Sequence, residues 1–120
     1  MRTVLLIAAA LAMASPAMGQ SLCMEPTMPM PVDGAAATPD QMRTAMTDAR
    51  NFIAQSGVYQ ECLVKEVEDA KSQAVAGGSS FEPSVEATAR AKVDISKKAQ
   101  ERVGATLNNA MVAYKNAHSN

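Results

Sequence analysis

The fold is decided by residues 38–76, which read TPDQMRTAMTDARNFIAQSGVYQECLVKEVEDAKSQAVA. Thr38 stands at the N-cap position of a helix, Pro39 at the first helical position, and Gln41 where a capping-box partner is expected. Apolar or small residues then recur at spacings of three, four or seven, as on one buried helix face. They are Met42, Met46, Ala49, Ile53, Ser56, Leu63, Val67, Ala70 and Ala74. We therefore expect one long helix over about residues 39–76.

A second helix is predicted over about residues 83–117. Gly77 and Gly78 follow the last periodic residue of the first helix, and Pro83 marks a new helix start. One face of the second helix carries Val85, Ala89, Ser96, Ala99, Val103, Ala110 and Tyr114. Neither long helix can bury its stripe alone, so the two fold back on each other. The prediction is an all-α, coiled-coil-like helical hairpin in which Ala49 faces Ala110.

The chain begins with the pattern of a cleavable secretory signal. After a short positive start, Val4 to Ala14 forms an uninterrupted apolar run, and small residues ending at Gly19 suit signal peptidase. We expect cleavage before Gln20, and cleavage after Ala14 is the second choice. The run is shorter than the roughly 20 apolar residues that a membrane anchor needs. Residues 1–19 are therefore a predicted signal peptide.

The predicted mature chain, residues 20–120, forms one small exported domain. Leu22 is too large for the position before a lipid-modified Cys23, so we expect no lipid attachment. Removal of Arg2 changes the formal net charge from −1 to −2, which gives no electrostatic attraction to nucleic acid or anionic membranes. The expected location is the periplasm or the medium, without a nucleic-acid partner and without stable membrane insertion.

Residues 20–37 form a predicted arm rich in proline and methionine. Its prolines exclude a helix and favour extended, polyproline-like backbone. Two cysteines in an exported chain most often form a disulfide, and Cys23 with Cys62 is the only intramolecular choice. Without this bond, the same residues are a flexible leader. With it, the arm returns along the first helix and lays Met24, Met28, Met30 and Val32 beside Phe52, Tyr59 and Tyr114.

Residues 23–63 resemble a set of small uncharacterised exported proteins of proteobacteria. The shared pattern is a cysteine, a proline-rich stretch ending in Asp33-Gly34, a capped helix, and Tyr59 ahead of Cys62-Leu63. The resemblance implies a periplasmic location and the same cysteine pairing. It implies no particular activity.

The residues give no support for catalysis. Acid–base or nucleophilic chemistry normally uses a histidine, and the single His118 lies near the C-terminus. The sequence contains no phosphate-binding loop, metalloprotease spacing or serine triad. The acidic cluster Glu66, Glu68 and Asp69 is distributed around a helix, as on a solvated face. We expect a protein that is not an enzyme and carries no cofactor.

The favoured function is a non-catalytic, exported structural or protein-interaction module of the bacterial envelope. Its partner is an unidentified protein or a second copy of the chain. Aromatic residues are scarce, since the sequence has two Phe, two Tyr and no Trp. Phe52, Tyr59 and Phe81 are the possible partner-contact residues if they are exposed.

The alternative function is a periplasmic Cu(I) carrier. Thiolate and thioether sulfur are soft ligands that select Cu(I), and the arm offers Cys23 together with Met24, Met28 and Met30, three methionines within seven residues. The carrier needs a free thiol or mobile methionines, whereas the interaction module needs the disulfide. The state of the two cysteines therefore separates the two functions.

Overall fold

A computed structural model describes residues 21–119, and its two α-helices pack against each other as an antiparallel hairpin. Helix α1 spans Pro39–Ala76 and helix α2 spans Pro83–His118. No strand is present between residues 21 and 119. The predicted all-α hairpin is confirmed, and α2 ends one residue beyond the expected position. The predicted signal peptide, residues 1–19, lies outside the described residues.

The capping box predicted for α1 is present. The Thr38 hydroxyl accepts a hydrogen bond from the Gln41 amide at 3.2 Å, and the Gln41 side-chain carbonyl accepts one from the Thr38 amide at 2.8 Å. At the other end, the Gly77 amide donates to the Gln73 carbonyl at 2.9 Å. Gly78 has a φ of 66°, a left-handed conformation that costs glycine little. The two ends of α1 thus follow from local sequence.

Both small and large side chains are buried on the packed faces of the two helices. The buried residues are Met42, Ala49, Phe52, Ser56, Tyr59, Leu63 and Val67 on α1, and Ser96, Val103 and Ala110 on α2. They form two apolar clusters. One cluster contains Ala49, Phe52 and Val103, and the other contains Ala37, Met42 and Ala110.

The predicted pairing of Ala49 with Ala110 is wrong. Ala49 packs with Val103, whereas Ala110 lies in the other cluster, near the start of α1. The stripe of alanine and serine does not specify one register, and Ala37 and the backbone of Gly34 occupy the surface of α2 around Ala110. The end of the arm is therefore part of the core.

Polar side chains also cross the seam. The Gln60 amide donates to the Ser96 hydroxyl and to the Gln100 side-chain carbonyl, both at 3.0 Å. Gln100 in turn donates to the backbone carbonyl of Ile53 at 2.9 Å. The Ser56 hydroxyl is fully buried and has no hydrogen-bond partner among residues 21–119. The seam therefore contains one satisfied buried serine and one unsatisfied one.

At the loop end of the hairpin, the contacts between the two helices are mainly between surface side chains. The Lys71 ammonium lies 2.9 Å from a Glu86 carboxylate oxygen and 5.4 Å from the centre of the Phe81 ring. Within the described chain, α1 has no buried residue after Val67, and α2 has none before Ser96. This end of the hairpin has two layers and no enclosed core.

Candidate functional site

The arm, residues 21–37, runs along the hairpin and contacts it with one of its own edges. Every third residue from Cys23 is half-buried, namely Cys23, Pro26, Pro29 and Val32, and the two residues between each pair are exposed. Three residues per turn is the period of a polyproline II helix. We call these four residues the inner edge. The arm therefore presents one side of a polyproline II helix to the hairpin and two sides to solvent.

The start of the arm is bound to the middle of α1. Cys23 and Cys62 form the predicted disulfide, with their α-carbons 5.7 Å apart. One helical turn beyond Cys62, the Glu66 carboxylate accepts hydrogen bonds from the Leu22 amide at 2.7 Å and the Ser21 hydroxyl at 2.8 Å. A covalent bond and a charge-assisted pair of hydrogen bonds thus hold this end.

The far end of the arm is held by a close backbone contact. The Asp33 side chain accepts a hydrogen bond from the Ala35 amide at 3.1 Å, and the Asp33 backbone carbonyl accepts one from the Ala36 amide at 3.2 Å. This turn places the buried Gly34 on the backbone of Ala110, where a β-carbon would overlap the carbonyl oxygen. Glycine is needed here because it leaves space for this approach.

Two outer edges of the arm face solvent, and both carry large apolar side chains. The first outer edge consists of Met24, Thr27 and Met30, and the second consists of Leu22, Glu25, Met28 and Pro31. Leu22, Met24 and Met30 are 89, 88 and 90 % exposed, and Met28 is 42 % exposed. Between Met24 and Val32, no arm backbone group hydrogen-bonds to another part of the described chain. The outer edges therefore offer apolar side chains and unpaired backbone groups together.

The predicted placement of the arm methionines is wrong. Met24 and Met30 are almost fully exposed, and Met28 is only partly covered, although Met28 and Met30 border a small cavity over Ala49. The three-residue period is the reason, because it turns Cys23, the prolines and Val32 inward and the methionines outward. Val32 does pack on the hairpin, against the cluster that contains Ala110.

Of the predicted partner-contact residues, Phe52 and Tyr59 are not exposed. They are 5 % and 6 % exposed, and both belong to the buried side of α1. Phe81 is half-buried, with the Lys71 ammonium over its ring. Burial raises the pKa of the Tyr59 phenol, and the nearby carboxylates of Glu25 and Glu66 raise it further. Large exposed apolar side chains therefore lie on the arm, whereas Phe52 and Tyr59 are buried.

Among the described residues, one group of three potential metal ligands lies close together. The ligand atoms of Cys23, Cys62 and Glu66 lie within 4.8 Å of one another, but both sulfurs belong to the disulfide. Met24 and Met30 are six residues apart, which is about 19 Å along a polyproline II helix. His118 stacks on Tyr114, with ring centroids 4.1 Å apart. While the arm is held, the outermost methionines are too far apart to share one ion.

Comparisons of the chain with protein-family models, with curated proteins and with solved structures give no match. Neither of the two helices is long and apolar enough to cross a membrane, as far as residues 21–119 are concerned.

Proposed function

We propose that the protein is a non-catalytic, exported interaction module of the bacterial envelope, and that the outer edges of the arm are its contact surface. The observation that carries the proposal is the exposure of Leu22, Met24 and Met30 on a segment held at both ends. Flexible leaders carry exposed apolar residues at little cost. Here a disulfide and a buried turn hold the apolar side chains of the arm in solvent-exposed positions.

Holding the arm in place favours binding for a physical reason. A partner that binds a flexible peptide must offset the loss of backbone and side-chain freedom on ordering. The disulfide, the Glu66 hydrogen bonds and the Gly34 contact impose that order before any partner arrives. More of the contact energy then appears as affinity.

The proposed export rests on the sequence of residues 1–19 and on the cysteine pair. Disulfides persist in oxidising compartments and are rare in the cytoplasm. A protein whose arm depends on Cys23 and Cys62 is best suited to the periplasm or the medium.

The proposed function is tested by retention of envelope proteins on the immobilised, oxidised chain. The arm variant is Met24→Ser with Met30→Ser, and the control is Ile95→Ser with Val112→Ser, a pair of exposed apolar residues on α2. We expect a specific protein to be retained by the wild type and the control and lost with the arm variant. Retention by all three, or loss with the control alone, would contradict the assignment of the arm.

The Cu(I) carrier is a second candidate because Met24, Met28 and Met30 are all accessible to solvent. It requires the arm to leave the hairpin, since the methionines are spread over about 19 Å while the arm is held. Native mass spectrometry with Cu(I) separates the two functions. We expect the oxidised protein to remain free of copper at a one-to-one ratio, and stoichiometric uptake with both thiols reduced would favour the carrier.

A further inference from the structure

The outer edges of the arm show which kind of partner fits them. We infer that the partner is a different folded protein, with a groove lined by aromatic side chains that takes Met24 and Met30 in separate pockets. The inference rests on the proposed function and names the partner's chemistry. The inference follows from the backbone, the side chains and the charges of the arm, and from the aromatic residues of the whole chain.

The arm backbone excludes pairing with a β-strand of the partner. Strand addition needs a row of amide donors, and Pro26, Pro29 and Pro31 have none. The carbonyl groups of the arm are still available as acceptors. Polyproline II segments are bound by grooves whose aromatic rings pack on the side chains and whose polar atoms donate to such carbonyls. Tyr and Trp each supply an aromatic ring for packing and a hydrogen-bond donor in one side chain.

The side chains set the spacing of the groove. Met24 and Met30 lie on the same outer edge, two polyproline II turns apart, which is about 19 Å. Thr27, between them, is smaller and polar. Thioether sulfur makes favourable contacts with aromatic rings at about 5 Å, so aromatic pockets suit methionine better than aliphatic ones. The partner is therefore expected to offer two aromatic pockets separated by a shallower region.

Charges beside the arm define the rim of the groove. Glu25 is exposed on the second outer edge, and Glu66 holds the start of the arm. Both carboxylates are close enough to Tyr59 to raise the pKa of its phenol. Lys or Arg residues on the rim beside the start of the arm would complement them and favour productive encounter, whereas Arg102 borders the arm near Met28 and Met30. The same carboxylates oppose adsorption to an anionic lipid surface.

A second copy of the chain does not fit as the partner. The sequence has no Trp, and its four aromatic residues are Phe52, Tyr59, Phe81 and Tyr114. The first two are buried, Phe81 is half-buried beneath Lys71, and Tyr114 is half-buried and stacked on His118. This surface provides no exposed aromatic groove, so the groove must come from another protein.

The inference is tested by photo-cross-linking, followed by titration. A photoreactive amino acid replaces Met24, Met30 or, as control, Val112, which is 60 % exposed on α2. Each oxidised protein is irradiated with an envelope extract of the cells that make it, and the cross-linked peptide of the partner is sequenced. We expect products from positions 24 and 30 but not 112, attached beside Trp, Tyr or Phe at two separate places on one protein.

Titration of the purified partner with the oxidised chain gives the quantitative readout. Burial of a methionine in an aromatic pocket predicts that Met24→Ala and Met30→Ala each weaken binding roughly tenfold, and that Val112→Ala has no effect. Partner tryptophan or tyrosine fluorescence should change on binding. Unchanged affinity of both arm variants would overturn the inference.

The cross-linking outcomes separate failure of the inference from failure of the proposed function. Products with lipid, with a second copy or with a protein surface that lacks aromatic residues overturn the aromatic groove. Products from position 112 alone show an interaction module that uses a different surface. If none of the three positions gives a cross-linked product, both proposals are contradicted.

Discussion

The part of the hairpin beneath the arm and the loop end beyond it are built from similar helices but hold together differently. In the covered part, residues 39–67 and 96–118, the arm adds a third layer, and all buried residues of the helices lie there. In the bare end, residues 68–95, no residue is buried. The difference indicates that two helices with small-residue stripes need an added layer to enclose a core. The arm supplies that layer and also carries the exposed methionines.

The largest expected effect is loss of the disulfide, which would make the covered part resemble the bare end. Cys23→Ser with Cys62→Ser removes a cross-link between residues 39 positions apart, worth about 3–4 kcal/mol in the chain-entropy model. We expect a lower melting temperature and faster amide exchange around residues 52–63. Denaturation and hydrogen exchange check this result. An unchanged melting curve, in the variant or with reductant, would contradict the role of the arm.

The next effect concerns the far end of the arm. In Gly34→Ala, the new methyl group overlaps the Ala110 carbonyl, so the turn must move away from α2. We expect a loss of about 1–3 kcal/mol, typical of overpacking a tight contact. Chemical denaturation measures it, with the disulfide intact. A variant as stable as the wild type would show that the turn does not rest on α2.

The buried serines test the packing of the seam itself. Ser56→Ala removes a buried hydroxyl without a partner, and we expect a gain of about 1–2 kcal/mol. The matched control is Ser96→Ala, which removes the acceptor of the Gln60 hydrogen bond and should destabilise by about 1 kcal/mol. Urea denaturation of both variants gives the comparison. Equal loss in both would mean that Ser56 is hydrogen-bonded after all.

The mid-helix glycines test whether the helix seam leaves space for a side chain at their positions. A β-carbon on Gly57 or Gly104 would meet no other described residue within 4 Å, so neither glycine mediates a close contact between α1 and α2. Gly57→Ala and Gly104→Ala should each stabilise by about 0.5–1 kcal/mol through helix propensity. The two single variants and the double variant are compared by thermal denaturation. A loss on substitution would instead indicate a close contact at that position.

The smallest effect is a pH dependence at the bare end. A hydrogen bond from Lys71, with the charges of Lys71 and Arg90, lowers the pKa of Glu86 below its ordinary value of 4.5. The stabilisation is therefore present above pH 4.5 and is lost as the pH falls through the lowered pKa. We expect faster amide exchange at the start of α2 in acid, measured after correction for the intrinsic pH dependence of exchange. In Lys71→Met, this acid-induced change should shrink.

Local signals in the sequence were sufficient for the helices and the disulfide. The Thr38–Gln41 box and the Gly77–Gly78 stop depend on neighbouring residues, and only one cysteine pair is possible. The orientation of the arm was missed because methionine is more apolar than proline, whereas the backbone period decides which side chains face inward. That period was visible in the spacing of Cys23 and the inner prolines.

Register and docking of the arm end had no comparable local signal. A stripe of alanine and serine packs almost equally well in several registers, so the pairing of Ala49 with Ala110 was not specified by the stripe. The contact of Gly34 with Ala110 joins residues far apart in the chain. A buried glycine that makes space for a backbone cannot be distinguished from a turn glycine by its neighbours. Only the packed structure separates these two roles.

The covalent ring closed by Cys23 and Cys62 has a consequence for the order of assembly. Every residue of the ring precedes α2, which begins at Pro83. A chain that emerges N-terminus first, from a ribosome or through a translocation channel, can close the ring before α2 appears. Helix α2 would then dock onto a prepared surface, and the contact between Ala110 and Gly34 would form among the last.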